Sequence, residues 1–264
     1  MDCWVDAVAL LGPGLDGWTH AAPILCGTAA YVPGETRLPK LELLPPVERR
    51  RTGLPVKLAL AVGAAALEAA GVAPDQVASV FTSSGADGEI MHDVCVTLAS
   101  DDRQISPTKF HNSVHNAPSG YWSIATHSHQ PSTSLCAYDW SFAAGLLEAA
   151  AQTALEHERV VLISYDVPYP QPMNAVRTVM GALGVALLLS RAKHAGSLCR
   201  LSLSLAASLR EATCLDQPSL ESLRTGNPTG RALPLLRALG APDTDAVVLD
   251  YLPGGSLLAT IAPP

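Results

Sequence analysis

The order of apolar and polar residues predicts short strands that alternate with helices. Seven short runs are apolar or alternate between apolar and polar residues, and each is bounded by Gly, Pro, Asp or Ser. The predicted strands are Val5–Leu11, Val77–Ser83, Val160–Tyr165, Gly184–Ser190, Leu198–Leu205, Ala246–Tyr251 and Ser256–Ile261. Several of them are almost entirely apolar, which predicts a sheet that is covered on both faces.

Two long segments between these runs have helical periodicity. In Leu54–Ala70, residues such as Leu58 and Ala61 recur at helical spacing, and Gly71 supplies a C-terminal stop. Ser141–His157 is rich in Ala, Leu and Glu, which favour helices. Strands that alternate with helices predict a layered α/β fold.

The segment Gln217–Asp245 has a different composition. It is rich in Gly and Pro and includes the pair Asn227-Pro228. These residues are typical of turns and loops. We therefore predict a loop-rich connection with one short helix near Ala232–Leu239.

Composition and charge exclude several classes of function. The chain has 264 residues, of which 48% are apolar and 16% charged, as expected for a compact globular protein. The net charge of −7 gives no electrostatic reason to expect binding to nucleic acid or to an anionic membrane. No apolar run is long enough to span a bilayer, and no basic region followed by an apolar stretch opens the chain, so we predict a cytoplasmic protein without a membrane span.

The six cysteines are scattered singly, without a CxxC pair. This pattern predicts reduced thiols, most of them small core residues, and gives no support for a zinc site. One of them, Cys136, follows a short strand-like segment and precedes a long helical pattern. A thiol near a helix N-terminus is favoured as a thiolate, and the free backbone N–H groups there could stabilise an oxyanion. The alternative is that Cys136 is a small buried residue, which is the commoner role of an isolated cysteine.

Three stretches resemble the ketosynthases of the thiolase superfamily, and specifically their truncated branch, the β-ketoacyl synthase chain length factors. The first is Leu54–Gly71 with the following Ala73–Ser84, which resembles an early helix, a Gly-X-X-Pro-Asp-X-Val link and a core strand. The second is Ser106–Ile124, whose His111–Trp122 run is most particular to the truncated branch. The third is Ser134-Leu-Cys136-Ala, which resembles the nucleophile turn of the family. Gly184–Arg191 resembles the strand that closes the first half of the fold.

This resemblance implies one ketosynthase-like domain over residues 1–264 with a thiolase-like α/β/α/β/α layered fold. Residues 1–206 would form a complete first half and residues 207–264 a strongly shortened second half. Cys136 would occupy the acyl-carrying position, and the strand around Pro131–Cys136 would pair with a partner across a large two-fold interface. The resemblance implies an interface formed by Asn112, Ser113, His115, Asn116, Pro118, Ser119, Tyr121, Ser132 and Ser134.

The histidines depart from the family pattern. Ketosynthases use two histidines of the second half, one in a His-Gly-Thr-type motif and one in a Gly-His motif, to stabilise the enolate that forms when malonyl loses CO₂. The last of the eight histidines in this chain is His194, and neither motif occurs. The catalytic set is therefore incomplete.

The leading hypothesis is a non-condensing subunit similar to a chain length factor. It would bind a full-length ketosynthase in a heterodimer or larger assembly, interact with acyl carrier protein, and help bound the acyl tunnel in fatty-acid or polyketide biosynthesis, aryl polyenes included. One alternative is an acyltransferase that uses Cys136 on carrier-protein or CoA thioesters. The other is a scaffold that recruits carrier proteins.

Other candidate residues carry less weight. His111 and His115 are four residues apart, but a third metal ligand is not evident, so we predict neither a metal nor a cofactor. His127 and His129 lie just before the proposed interface strand and are interpreted as satisfied polar residues. Glu48–Arg51 is interpreted as a solvated face, with contact to an acidic carrier protein as the alternative.

Overall fold

The computed structural model describes residues 1–241 and 245–264. The strands are β1 (Asp2–Gly12), β2 (Leu15–Asp16), β3 (Ala78–Thr82), β4 (Ser132–Leu135), β5 (Arg159–Asp166), β6 (Leu183–Ser190), β7 (Cys199–Leu205), β8 (Ala246–Tyr251) and β9 (Gly255–Ala262). The α-helices are α1 (Trp18–Leu25), α2 (Pro46–Arg51), α3 (Leu54–Ala70), α4 (Gly88–Ala99), α5 (Pro107–Asn112), α6 (Ala117–Thr126), α7 (Ser141–Leu155), α8 (Met173–Val176), α9 (Pro218–Gly226) and α10 (Leu233–Gly240). Short 3₁₀ turns cover Pro74–Gln76, Tyr138–Trp140 and Pro228–Ala232.

Eight of the strands form a continuous mixed sheet in the order β4-β3-β5-β6-β1-β7-β9-β8, and β2 pairs with the end of β1. Strands β4, β3 and β5 are parallel, and the remaining pairs along the sheet are antiparallel. All seven strands predicted from the apolar runs are present, with boundaries shifted by at most a few residues. Strands β3, β5 and β6 are buried or almost fully buried along their length, as their apolar sequences predicted.

Helices cover the first half of the sheet on both faces. Helix α3 packs on β1, β5 and β6 on one face, together with α6. Helix α7 lies on the other face against β3 and β5 and also contacts β8 from the opposite end of the strand order. Apolar side chains fill the spaces on both sides, for example Phe142 and Leu146 of α7 in one core and Leu58 and Trp122 in the other.

Within the described residues, the segment after residue 206 forms two strands, β8 and β9, and two α-helices, α9 and α10. Strands β8 and β9 form an antiparallel hairpin, with Gly254 at a φ of 80° in the turn. The prediction of a single helix within Gln217–Asp245 is wrong, because α9 and α10 both lie there, and residues 242–244 fall outside the described residues. Pro218 occupies the first turn of α9, where its missing N–H costs nothing, and Leu223 is buried on the inner side of that helix.

All six cysteines are free, but the expectation that most are core residues is wrong. Cys3 and Cys199 are buried, whereas Cys95, Cys136 and Cys214 are exposed. In residues 1–241 and 245–264, no helix combines the length and the apolar character required to cross a bilayer.

Candidate functional site

The carboxyl ends of three parallel strands bring chemistry-bearing residues together at one edge of the sheet. Thr82 at the end of β3 is in register with Leu135 of β4 and with Ser164 of β5. The residues that follow are Ser83 and Ser84 after β3 and Cys136 after β4. Asp166 ends β5 at the same edge. Cys136 therefore lies at the carboxyl ends of the parallel strands, beside residues of β3 and β5 that the sequence did not connect with it.

Cys136 lies on the turn between β4 and α7, as the sequence predicted. Its side chain is exposed, and Sγ donates to the Ser84 carbonyl oxygen at 3.2 Å. The turn is fixed by the buried Ser141, whose Oγ accepts from Ala137 N at 3.0 Å and contacts the carbonyl oxygens of Ser83 and Tyr138. The interpretation of Cys136 as a small buried residue is therefore wrong, because the thiol faces the surface.

Asp166 is a buried carboxyl at this edge of the sheet. One carboxylate oxygen accepts from Ser84 N at 2.8 Å and from Ser84 Oγ at 2.6 Å. The other accepts from Thr229 Oγ1 at 2.8 Å, and Thr229 also bonds Ser164. Burial raises the pKa of Asp166 from 3.8 to about 6, against the three hydrogen bonds and nearby Arg177, which lower it.

His115 is the histidine that reaches this edge of the sheet. Its Nε2 lies 3.2 Å from Ser83 Oγ, and burial lowers the pKa of its ring. Tyr165, the residue before Asp166, is buried beside it, and its hydroxyl forms no hydrogen bond of ordinary geometry in the described chain. Burial raises the pKa of Tyr165, with Ser83 lowering it and the charges of Asp166 and Cys136 raising it. A cavity of about 10 Å³ adjoins His115 and Tyr165, which is close to the volume of one water.

An ion pair stands on the outer side of the Cys136 turn. Arg177 donates to Asp139 at 2.9 Å and lies over the Tyr138 ring, 3.5 Å from its centroid. Tyr138 itself has a φ of 55°, in the left-handed region that a side chain rarely adopts. The guanidinium therefore stabilises an unusual backbone conformation two residues after the cysteine.

A larger cavity of about 800 Å³ opens elsewhere between the end of β1, the start of β6 and α9. Its walls are mainly apolar and include Tyr31, Leu54, Met180 and Leu223. Cys136 does not line it.

The nine predicted interface residues divide into two groups. Asn112, Pro118, Ser119 and Tyr121 are buried within the chain. The buried pair Asn112 and Tyr121 is joined by a 3.0 Å hydrogen bond, and Asn112 also donates to the carbonyl oxygen of Arg51. The surface group is Ser113, His115, Asn116, Ser132 and Ser134, all of them half-buried or exposed. Their interface role stays a prediction.

Exposed apolar side chains lie on the helices beside β4, the strand that the resemblance implied at a partner interface, and the sequence did not predict this exposure. Within the described residues β4 pairs with β3 alone, so its outer backbone edge is unpaired. Nearby, Phe110, Val114 and Ile124 expose 63%, 46% and 50% of their surface around a shallow cavity of about 370 Å³. We call Phe110, Val114, Ile124 and the free edge of β4 the β4-side surface.

The remaining histidines of interest stay apart from the thiol. His111 lies exposed in the last turn of α5, and the chain turns before His115, so the two do not share one helix. His127 ends α6 with a φ of 56°, and both it and His129 are exposed. Within the described residues no group of three or more His, Cys, Asp or Glu could hold a metal ion.

A family model described as the N-terminal domain of β-ketoacyl synthase matches residues 26–238, which is most of the chain. The chain belongs to the β-ketoacyl synthase family. No match exists among curated protein sequences.

Solved ketosynthase structures share the fold of this β-ketoacyl synthase-family chain over nearly its full length. A chain of the ketosynthase ApeO in complex with its chain length factor ApeC from Xenorhabdus doucetiae is 22% identical, with a TM-score of 0.75 over 98% of this chain and 99% of that one. A chain of the ishigamide ketosynthase/chain length factor is 12% identical, with a TM-score of 0.75 over 100% and 99%. A β-ketoacyl synthase from Burkholderia phymatum is 11% identical, with a TM-score of 0.70 over 99% and 100%. The predicted thiolase-like fold with a shortened second half is confirmed.

The sequence reading missed Asp166, Ser84 and Thr229. A signal for Asp166 was present, because an acidic residue directly follows the apolar run Val160–Tyr165. Thr229 carried no comparable signal, because it lies in the Gly- and Pro-rich segment that was read as a loop.

Proposed function

We propose that this β-ketoacyl synthase-family chain is a non-condensing subunit that pairs with a full-length ketosynthase, in the manner of a chain length factor. The observation that carries the proposal is a family thiol, Cys136, without the two histidines that stabilise an enolate. Residues 195–264 contain no histidine, and His115 contacts Ser83 through its ring. Decarboxylative condensation therefore belongs to the partner, which receives its malonyl and acyl groups from acyl carrier protein.

The β4-side surface is the proposed contact with the ketosynthase. An unpaired strand edge beside exposed large apolar side chains is typical of a surface that is covered in an assembly. Strand addition across a pseudo-two-fold axis would satisfy the free N–H and C=O groups of β4. Ser132 and Ser134, which the sequence predicted at this interface, lie on that strand.

Co-purification tests this proposal directly. The chain is co-expressed with a full-length ketosynthase from the same source, with an affinity tag on the ketosynthase alone. We expect the wild-type chain to co-purify in equal amount. Phe110→Asp should weaken the association at least about tenfold, because a charge replaces an apolar side chain that the complex would bury. The control is Val32→Asp, an exposed apolar residue away from the β4-side surface, which should co-purify normally. A wild-type chain that stays monomeric beside a fully active ketosynthase would refute the proposal.

The exposed thiol favours a second candidate, acyl transfer by Cys136. In that reaction the thiol would attack an acyl thioester, the acyl group would pass to Sγ, and the carrier or CoA thiol would leave with the proton. Intact mass after incubation with acyl thioester tests it. An adduct that is absent from the wild type, or unchanged in Cys136→Ala, removes this candidate.

Analysis of the product distinguishes the hypothesis of a tunnel-bounding subunit from that of a carrier-recruiting scaffold. A subunit that bounds the acyl tunnel changes the chain length of the product when it is altered. A scaffold lowers flux and leaves the length unchanged. The chemical identity of the product, including the predicted aryl polyene, is read from the same experiment.

A further inference from the structure

Three hydrogen bonds made by one residue, Ser84, connect a buried carboxylate to the Cys136 thiol. Asp166 accepts from both Ser84 N and Ser84 Oγ, at 2.8 Å and 2.6 Å. The carbonyl oxygen of the same serine accepts from Cys136 Sγ at 3.2 Å. A carbonyl oxygen accepts a hydrogen bond from S–H but repels a thiolate, so this arrangement fits the protonated sulfur.

The negative charge of Asp166 also disfavours a thiolate at Cys136. Asp166 is fully buried, and its negative charge lies within roughly 10 Å of the sulfur along the path through Ser84. The groups that face the Asp166 carboxylate are Ser84 from the loop after β3, Thr229 from the turn after α9, Arg177 from the loop after α8 and the neighbouring Tyr165. Arg177 is the cation among them, and its guanidinium is paired with a different carboxylate, that of Asp139.

We propose that Asp166 is a positioning residue which, through Ser84, holds Cys136 as an unreactive thiol. The inference rests on the proposed non-condensing role, because such a subunit has no use for a strong nucleophile at this position. The direct partner of the sulfur is a carbonyl oxygen, whereas the sulfur of a reactive cysteine faces a cation or an N–H donor.

Thr229 makes the shortened second half a part of this arrangement. It is fully buried in the 3₁₀ turn Pro228–Ala232 and donates to the second oxygen of Asp166. A donor to the carboxylate favours the charged form, so Thr229 sustains the negative charge near the thiol. Loss of this donor should make Asp166 ionise at a higher pH.

Competitive alkylation of the full chain measures the effect. Iodoacetamide is added between pH 5 and pH 9, and the labelling rates of individual cysteines are read by peptide mass spectrometry. Cys95 is an exposed cysteine on α4, so the ratio of Cys136 to Cys95 labelling removes the general effect of pH on thiols. The buried Cys3 and Cys199 should stay unlabelled in every folded variant, which gives a folding control within the same sample.

The variants have distinct expected results. At pH 7.5, Asp166→Asn should raise the ratio between about 3-fold and 10-fold, because a negative charge near the sulfur is lost. In the wild type the ratio should fall as pH rises through about 6, where Asp166 ionises, and in Asp166→Asn it should stay level. Thr229→Val keeps the side-chain shape, and in this variant the labelling ratio should fall at a higher pH than in the wild type.

The matched control is Asp87→Asn. Asp87 is a buried carboxylate on the same loop after β3, and it caps α4 through Ile90 N, a role that Asn also performs. It does not bond Ser84, so its variant should behave like the wild type. A ratio unchanged in Asp166→Asn, or raised equally in Asp87→Asn, would overturn the proposal. If Asp166→Asn unfolds enough to expose Cys3, Thr229→Val provides the test instead. A labelling ratio that falls at the same pH in Thr229→Val as in the wild type would also overturn the proposal. Because the ratio is measured on the chain alone, it is independent of whether a ketosynthase co-purifies.

Discussion

The buried Asp166 predicts an unusual dependence of stability on pH. Burial raises the pKa of this carboxyl from 3.8 to about 6, so the folded protein binds its proton more tightly than the unfolded chain. The resulting stabilisation is complete below pH 3.8 and is lost as pH rises through about 6. A shift of this size corresponds to about 3 kcal/mol between the two limits.

Urea unfolding at pH 4.5, 5.5, 6.5 and 7.5, followed by circular dichroism, measures this effect when the wild type is compared with Asp166→Asn. Titration of the other groups is common to both proteins and cancels in the difference between their free energies of unfolding. Asn cannot ionise, so the difference between the two free energies of unfolding should shift in favour of the variant by about 2 kcal/mol between pH 4.5 and pH 7.5. The shift is smaller than the full effect because the carboxyl of the unfolded chain is already mostly ionised at pH 4.5. A difference that stays constant within about 0.5 kcal/mol across this range would refute the reasoning about Asp166.

Three further substitutions test the packing and the polar network. Gly63→Ala in α3 should lower the free energy of unfolding by about 1–3 kcal/mol, because a Cβ at that position would lie 2.6 Å from Ile163 Cδ1; urea unfolding with no loss would show that the helix can shift away. Arg224→Met should cost about 3 kcal/mol in the same assay, since the buried guanidinium bonds Glu221 at 2.7 Å and 2.8 Å, and a neutral result would mean that the freed carboxylate reaches water. Ser141→Ala removes three hydrogen bonds from the Cys136 turn, which should lower the free energy of unfolding by about 1–2 kcal/mol and the melting temperature by several degrees. An unchanged melting temperature in a thermal scan would mean that the turn forms without these bonds.

The sequence predicted the strands well because burial on both faces leaves a clear record of apolar residues. The runs Val160–Tyr165 and Gly184–Ser190 became β5 and β6, whose residues are almost all buried. Helix α9 was missed because its signal is short and amphipathic, and Gly and Pro nearby suggested a loop. Pro218 in fact starts that helix.

The site was only partly predictable, because its residues come from separate strands. The position of Cys136 on a strand-to-helix turn follows from local sequence, and it was predicted. The contacts of Asp166 with Ser84 and Thr229 depend on the strand order. Ser84 is 82 positions and Thr229 63 positions from Asp166 in the sequence, so these residues meet only after β3, β5 and the second half have packed. The exposure of Phe110 and Ile124 likewise depends on which faces of α5 and α6 the rest of the chain covers.

Strand β1 joins the two parts of the sheet. Trp4 and Val5 are paired on one side with Ser190 and Leu189 of β6 and on the other with residues of β7. Detachment of β1 would leave the backbone edges of both β6 and β7 unpaired. We therefore expect the chain to unfold in one cooperative transition. The amide protons of this strand should then be among the slowest in the molecule to exchange with deuterated solvent.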